Sequence, residues 1–177
     1  MERKLVLYIA VSLDGYIAKS NGAVDWLGGN GEEPNADYGY DAFYETIDTV
    51  VMGRTTYEQL VNELSPGVWM YEGKKCYVAA TGEIPANDHA EFISGDIVSF
   101  VNSIKEQQGK NIWLMGGGKL IDQFIKRDAI DVYIITVIPE VLGEGIPLFL
   151  RANPEIKLRL IGTKITDGMA ELTYVRR

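Results

Sequence analysis

Two places in this 177-residue sequence join a short apolar run to a helical pattern through residues suited to holding phosphate. In the first, Ile112 to Met115 feeds Gly116-Gly117-Gly118, after which Leu120, Ile121, Phe124 and Ile125 recur at helical spacing. A strand, glycine turn and helix of this kind lets backbone approach a ligand and aims N–H groups and the positive helix end at an anion such as a pyrophosphate. The same glycines also make a plain tight turn. Two better-known phosphate loops are excluded: Ile121 stands where a Rossmann fingerprint needs its third glycine, and Leu120 follows Lys119 where a Walker loop needs Ser or Thr. In the second place, Met52-Gly53-Arg54-Thr55-Thr56, a guanidinium sits at the junction. Arginine can chelate a phosphate in bidentate fashion while threonine hydroxyls complete the cradle, although a solvated arginine beside an ordinary cap reads the same way. Two such junctions in one chain suit a dinucleotide, which carries a pyrophosphate and, in NADPH, one phosphate more.

The elements that must position these residues follow from periodicity. Short apolar runs alternate with helical segments, which places helices on the faces of a largely parallel sheet and makes the class α/β. Leu5 to Val11 reads as a buried strand, and Ser12-Leu13-Asp14-Gly15 as a turn. Asn21 to Tyr40, rich in Gly, Asn and acids and holding Trp26, reads as a long ordered loop. Asp41 to Asp48 is a short helix, Thr49 to Met52 a strand, and Thr55 with Glu58 a capping box that starts a helix running to about Leu64. Lys75 to Ala79 and Glu91 to Ser94 are strands, and Ile97, Phe100, Val101 and Ile104 mark one helix face, with Gly109 as its stop. Val132 to Ile138 is a β-branched strand, and strands near Lys157 to Lys164 and Met169 to Arg176 flank an Asp167-Gly168 hairpin, so the sheet ends antiparallel.

Composition narrows the function. A formal net charge of -8 repels a phosphate backbone over most of the surface, so nucleic acid is not expected as a partner. One cysteine, Cys76, and one histidine, His89, give neither an internal disulfide nor zinc-ligand spacing, and no metal is expected. The N-terminal Glu2-Arg3-Lys4 runs straight into an apolar stretch too short to span a membrane, which reads as a cytoplasmic protein. With no linker or repeat, residues 1–177 read as a single domain.

Val50-Val51-Met52-Gly53-Arg54-Thr55-Thr56-Tyr57-Glu58 resembles the strand-to-helix motif of dihydrofolate reductases, and Ile112 to Leu120 resembles their second glycine motif. Ser12-Leu13-Asp14-Gly15-Tyr16-Ile17-Ala18 and the Pro139 to Phe149 segment, with Gly143-Glu144-Gly145, are more similar to the reductase domain of bifunctional riboflavin-biosynthesis deaminase-reductases. The resemblance covers nearly the whole chain in pieces, in matching order. It implies a dihydrofolate reductase-like fold: a mostly parallel central sheet with an antiparallel C-terminal hairpin and flanking helices. It also implies a homodimer and hydride transfer from NADPH to a C=N or C=O carbon of a small heterocyclic or sugar-linked substrate, as in 5-amino-6-(5-phosphoribosylamino)uracil reductase. The alternatives are a pterin reductase and a nucleotide-binding protein without catalysis.

Carried over by residue, the resemblance makes Ala10 and Ile17 neighbours of the nicotinamide and Gly53, Arg54, Thr55 and Thr56 binders of the adenosine phosphates. Thr81 becomes a further contact to the adenosine half, and Gly116, Gly117, Gly118, Lys119 and Leu120 hold the pyrophosphate. Lys119 either adds a point charge there or is a solvated helix lysine. For the proton donor, folate reductases use a carboxylate on the first helix. Asp37, Asp41 and Glu45 lie four apart and share one helical face, which is either a cleft face or a solvated one. Asp41 is the choice, enclosed by Phe43 and Trp26, and Asp14 the second. Trp26 either lines the substrate cleft or packs the loop onto the core, and Thr136 either bonds a heterocycle or is an ordinary strand threonine.

Overall fold

The computed structural model describes residues 2–32, 38–82 and 88–177. Its centre is an eight-stranded sheet built around β1 (Leu5–Ser12), whose side chains are buried on both faces, as expected of a strand in the middle of a parallel sheet. After β1 come β2 (Tyr16–Ala18), α1 (Tyr40–Glu45), β3 (Ile47–Gly53), α2 (Arg54–Gln59), a π-helical turn (Leu60–Leu64), β4 (Lys75–Ala79) and β5 (Glu91–Ile93). The chain continues through α3 (Ile97–Lys105), β6 (Asn111–Gly116), α4 (Gly118–Lys126), β7 (Val132–Ile138), β8 (Ile146–Pro147), β9 (Leu158–Thr166) and β10 (Met169–Arg176). The order across the sheet is β5-β4-β3-β6-β1-β7-β10-β9, parallel as far as β7 and antiparallel for the last two strands. β2 and β8 form a separate antiparallel pair. The mostly parallel sheet with an antiparallel C-terminal hairpin is the architecture expected from the sequence.

Alternation along β1 sorts its side chains between two layers. Leu5, Leu7 and Val11 join the core under α3 and α4, where Val101, Ile121 and Phe124 are fully buried. Burial on this scale contributes about 1.5 to 3 kcal/mol for each large apolar side chain. Val6 and Tyr8 face the opposite layer, an aromatic cluster in which Tyr8 stacks on Phe43 at 4.0 Å between ring centroids and Trp113 meets Phe43 edge-on at 5.4 Å.

Several boundaries shift from the sequence reading, with identifiable causes. The first helix stops at Glu45, and Asp48 belongs to β3, where its carboxylate accepts from Lys110 N at 2.8 Å and from the Thr49 hydroxyl at 2.8 Å, and bonds the Arg3 guanidinium. The Thr55–Glu58 capping box does not form. The α2 N-cap is Gly53, the helix begins at Arg54, and Glu58 Oε1 instead accepts from Arg54 Nε at 2.7 Å. The α3 helix ends at Lys105, ahead of Gly109, and is capped at its start by Asp96, whose carboxylate accepts from Val98 N and Ser99 N and holds Arg127 at 2.6 and 2.7 Å. Tyr133 and Tyr174 pack against the core of this chain, and Tyr133 is fully buried.

The Asp167-Gly168 hairpin has a second duty. Asp167 is buried; its carboxylate accepts from Gly31 N at 3.1 Å and Glu32 N at 3.0 Å, and its carbonyl from Asn30 N at 2.8 Å. The turn between the last two strands therefore anchors the long loop after β2. Among the described residues, no helix is long and apolar enough to cross a membrane, and no three His, Cys, Asp or Glu side chains are grouped to hold a metal.

Candidate functional site

Because β1, β3, β6 and β7 run parallel, Ser12, Gly53, Gly116 and Ile138 end on one edge of the sheet, the edge at which α/β proteins bind ligands. The two glycine junctions meet there. A Cβ on Gly53 would lie 3.6 Å from both Gly116 O and Gly117 N, and one on Gly117 would lie 3.4 Å from Thr56 Oγ1. Gly116 has φ +132°, which only glycine adopts readily, and the Gly116–Gly117 peptide is cis. Gly117 has φ -80° and ψ -169°, ordinary extended backbone, so what its missing side chain provides is space between the two junctions.

At the end of the triplet, a Cβ on Gly118 would meet Pro147 O at 3.2 Å and Ile17 Cδ1 at 3.6 Å, so the structure brings Ile17 to the same place. The first N–H groups of α4, on Gly118 and Lys119, have no carbonyl one turn earlier within the helix. Lys119 is exposed. Leu120 departs from its expected role: its N–H donates to Gly117 O at 2.9 Å and its side chain is buried in the core, so neither is presented to a pyrophosphate. At the other junction Thr55 is exposed and Thr56 half-buried, while Arg54, besides its ion pair with Glu58, reaches the carbonyl of exposed Thr81 with Nη1 at 3.5 Å. Thr81 is thereby brought beside Arg54.

A second group of residues lies on the sheet face that carries Tyr8. Ala10 is opposite Thr136, Thr136 opposite Glu171, and Glu171 opposite Lys164, a row across β1, β7, β10 and β9. Trp26 is buried against Ile138 and Met169 with Ala10 and Tyr38 beside it, so it packs the loop onto the sheet next to Ala10. Among the described residues its buried indole Nε1 has no hydrogen-bond partner. An unmet buried donor costs about 1 to 3 kcal/mol, which a ligand acceptor would recover.

The two carboxylates expected as proton donors are placed differently from that expectation. Asp41 is exposed in the first turn of α1, and the enclosing wall is absent because Phe43 and Trp26 belong to separate clusters. Glu45 is likewise exposed, and Asp37 lies outside the described residues. Asp14 is a latch: it accepts from the Ser12 hydroxyl at 2.6 Å, Gly143 N at 2.8 Å and Leu142 N at 3.1 Å. The Ser12 hydrogen bond, with the two backbone donors, holds its carboxyl below the usual range, which favours the anion and disfavours proton donation near neutral pH.

Glu171 and Lys164 were not singled out from the sequence. Burial pushes the Glu171 carboxyl above the ordinary range, with Lys164 drawing it partway back. Counting outward from the Asp167-Gly168 turn would have set the two opposite each other, but the burial depends on residues far away in sequence.

Comparison with known proteins agrees with this architecture. The sequence model of the RibD C-terminal domain matches residues 3–168. Uncharacterized protein YwjB of Bacillus subtilis (strain 168) is 50% identical over 177 residues, 99% of each chain. A Shewanella sp. PV-4 protein described as a "putative riboflavin biosynthesis protein" superposes with a TM-score of 0.86 at 31% identity, covering 98% of this chain and 99% of its own. Dihydrofolate reductase from Enterococcus faecalis, solved with NADP(H), superposes with a TM-score of 0.70 at 19% identity over 99% of this chain and 98% of that one, a likeness of fold.

Proposed function

The chain belongs to the RibD C-terminal domain family, and on that premise we propose that it is an NADPH-dependent reductase acting on a small heterocyclic or sugar-linked substrate, of the type of 5-amino-6-(5-phosphoribosylamino)uracil. The observation that carries the reading is the meeting of the two glycine junctions, where a Cβ on Gly117 would fill the gap to Thr56. That cradle fits a diphosphate. When bound, the dinucleotide supplies the hydride. The chain's own residues bind and orient: Gly53 and Gly117 leave room, the Gly118 and Lys119 N–H groups meet negative charge, and Arg54 with Thr55, Thr56 and Thr81 takes the adenosine side. Ala10 and Ile17 wall the reacting end, and Trp26 with Thr136 lines the substrate side. Solvent supplies the proton or a substrate group relays it, since neither Asp14 nor Asp41 is enclosed as an acid.

Titration of the protein with NADPH, followed by quenching of tryptophan fluorescence, tests this. Gly117→Val is expected to weaken NADPH by about tenfold or more while melting as a folded protein, because its backbone angles suit any residue and only the gap is filled. NADPH binding as tight in the variant as in the wild type, or no binding in either, removes the reading.

We further propose that the chain is one domain and pairs as a homodimer, working in the cytoplasm without nucleic acid. Edge strand β9 exposes Leu160, Ile161 and Ile165, the last at 79%, a stripe suited to burial by a second copy. Light scattering is expected to give twice the chain mass, and Ile165→Lys to shift it towards the monomer.

A further inference from the structure

We propose that Lys164 and Glu171, on the C-terminal hairpin, form the specificity-determining pair for the substrate, reading an edge in which an N–H donor adjoins a carbonyl, as in a lactam or cyclic ureide. The proposal rests on the reductase reading for where the substrate lies.

Position gives the first argument. Residues opposite one another in a sheet share a face, and neighbouring strands are about 4.8 Å apart. Along the row Ala10, Thr136, Glu171, Lys164, the carboxylate strand therefore lies about 10 Å from Ala10, two strand spacings away. A flat one- or two-ring heterocycle with its reducible end over Ala10 has its far edge at Glu171. At that distance the pair recognises the substrate and does not touch the reacting carbon.

The second argument is that the pair converges. A Cβ on Gly39 would lie 3.2 Å from Lys164 Nζ and 3.9 Å from Glu171 Oε2, so both charged tips reach one spot, just ahead of α1. Tyr38, Thr136, Thr166 and Met169 complete a small notch around them. Among the described residues neither tip is in an ion pair with the other or with a third group. A half-buried carboxyl raised by burial and left without such a pair is what a binding site looks like before its ligand arrives. The carboxylate accepts an N–H and the ammonium donates to the adjoining C=O. Thr136, between them and Ala10, offers a hydroxyl of either sense.

Lumazine, a fluorescent two-ring cyclic ureide, and 1,3-dimethyllumazine, which keeps the carbonyls and loses the N–H groups, are the probes. Each is titrated into the full chain, with and without saturating NADPH. Wild-type protein is expected to prefer lumazine by about tenfold or more, the scale of a hydrogen bond to a charged group. Glu171→Gln is expected to erase that preference, and Lys164→Met to weaken lumazine by a similar factor, both with NADPH affinity unchanged and melting temperature near wild type. Equal binding of the two probes by wild type, or unchanged lumazine affinity in both variants, overturns the pair. Loss of NADPH binding in every form, with lumazine discrimination intact, overturns the reductase reading and leaves the pair standing.

Discussion

Arg3→Ala is expected to destabilise the fold by several kcal/mol, about 1 to 3 for each buried acceptor left without its donor. The side chain is only 6% exposed, and it donates through Nε to Lys110 O at 2.7 Å and through Nη1 to Ile104 O at 3.2 Å, while Nη2 bonds Asp48 and Thr49. It thus ties the start of β1 to β3 and to the chain between α3 and β6. Truncation removes a donor from two carbonyls and the cation from Asp48, whose carboxylate keeps the Lys110 N–H and the Thr49 hydroxyl. Urea unfolding gives the magnitude, and its pH dependence identifies the partner. Burial pushes the Asp48 carboxyl up, but the Lys110 N–H, the Thr49 hydroxyl and Arg3 together outweigh it and hold the group below its ordinary range. A depressed folded-state value means stability that is present above the unfolded carboxylate pKa and is lost as pH falls through the folded one. The wild type should therefore lose stability towards about pH 3 more steeply than Arg3→Ala. Parallel pH profiles would show that Arg3 contributes through the carbonyls alone.

Arg54→Ala is expected to lower the preference for NADPH over NADH by about 10- to 100-fold, the equivalent of roughly 1.5 to 3 kcal/mol for a charge-assisted bond to a phosphate. Arg54 already holds Glu58, with both side chains nearly half exposed. An exposed pair four residues apart in a helix is worth only about 0.3 to 0.5 kcal/mol, so a dianionic phosphate should displace it with little loss. Glu58→Gln is the control, expected to leave NADPH affinity within about twofold or raise it slightly. Competition titrations with both dinucleotides at two ionic strengths decide the matter, because the NADPH advantage must shrink with salt. Equal affinities in the wild type would remove Arg54 from the site.

What was legible in the sequence divides by range. The glycine junctions were readable because a strand that turns into a helix through Gly53 or Gly116-Gly117-Gly118 declares itself locally, and the sheet follows from apolar runs that alternate with helices. Local reading failed where two local motifs competed for one side chain. Glu58 fits a capping box with Thr55, yet Arg54, one turn away, takes it. It failed again where enclosure was at issue: Asp41 and Glu45 do share one exposed face of α1, but Phe43 turns into the core and Trp26 is carried off to Ile138 and Met169 by a loop whose anchor, Asp167, lies far along the chain. Asp14 looked like either a turn residue or an acid, and only the approach of Leu142 and Gly143 makes it a latch. Lys164 and Glu171 are ordinary surface charges in sequence, and their shared notch exists because the hairpin folds back against β7 and Gly39.

The strand order has a bearing on how the protein is made. β1 lies between β6 and β7, which are made only after β2 to β5 and α1 to α3 have followed it. Until then an apolar segment destined for the middle of the sheet has no partner on either edge, and β3, β4 and β5 can assemble only a fragment that lacks its centre. Folding dominated by such distant pairings is slow and leaves edges exposed to other nascent chains. The sheet therefore closes only once Asn111–Gly116 and Val132–Ile138 are present to flank β1, and a fragment that stops before Asn111 is expected to be aggregation-prone rather than a smaller version of the same molecule.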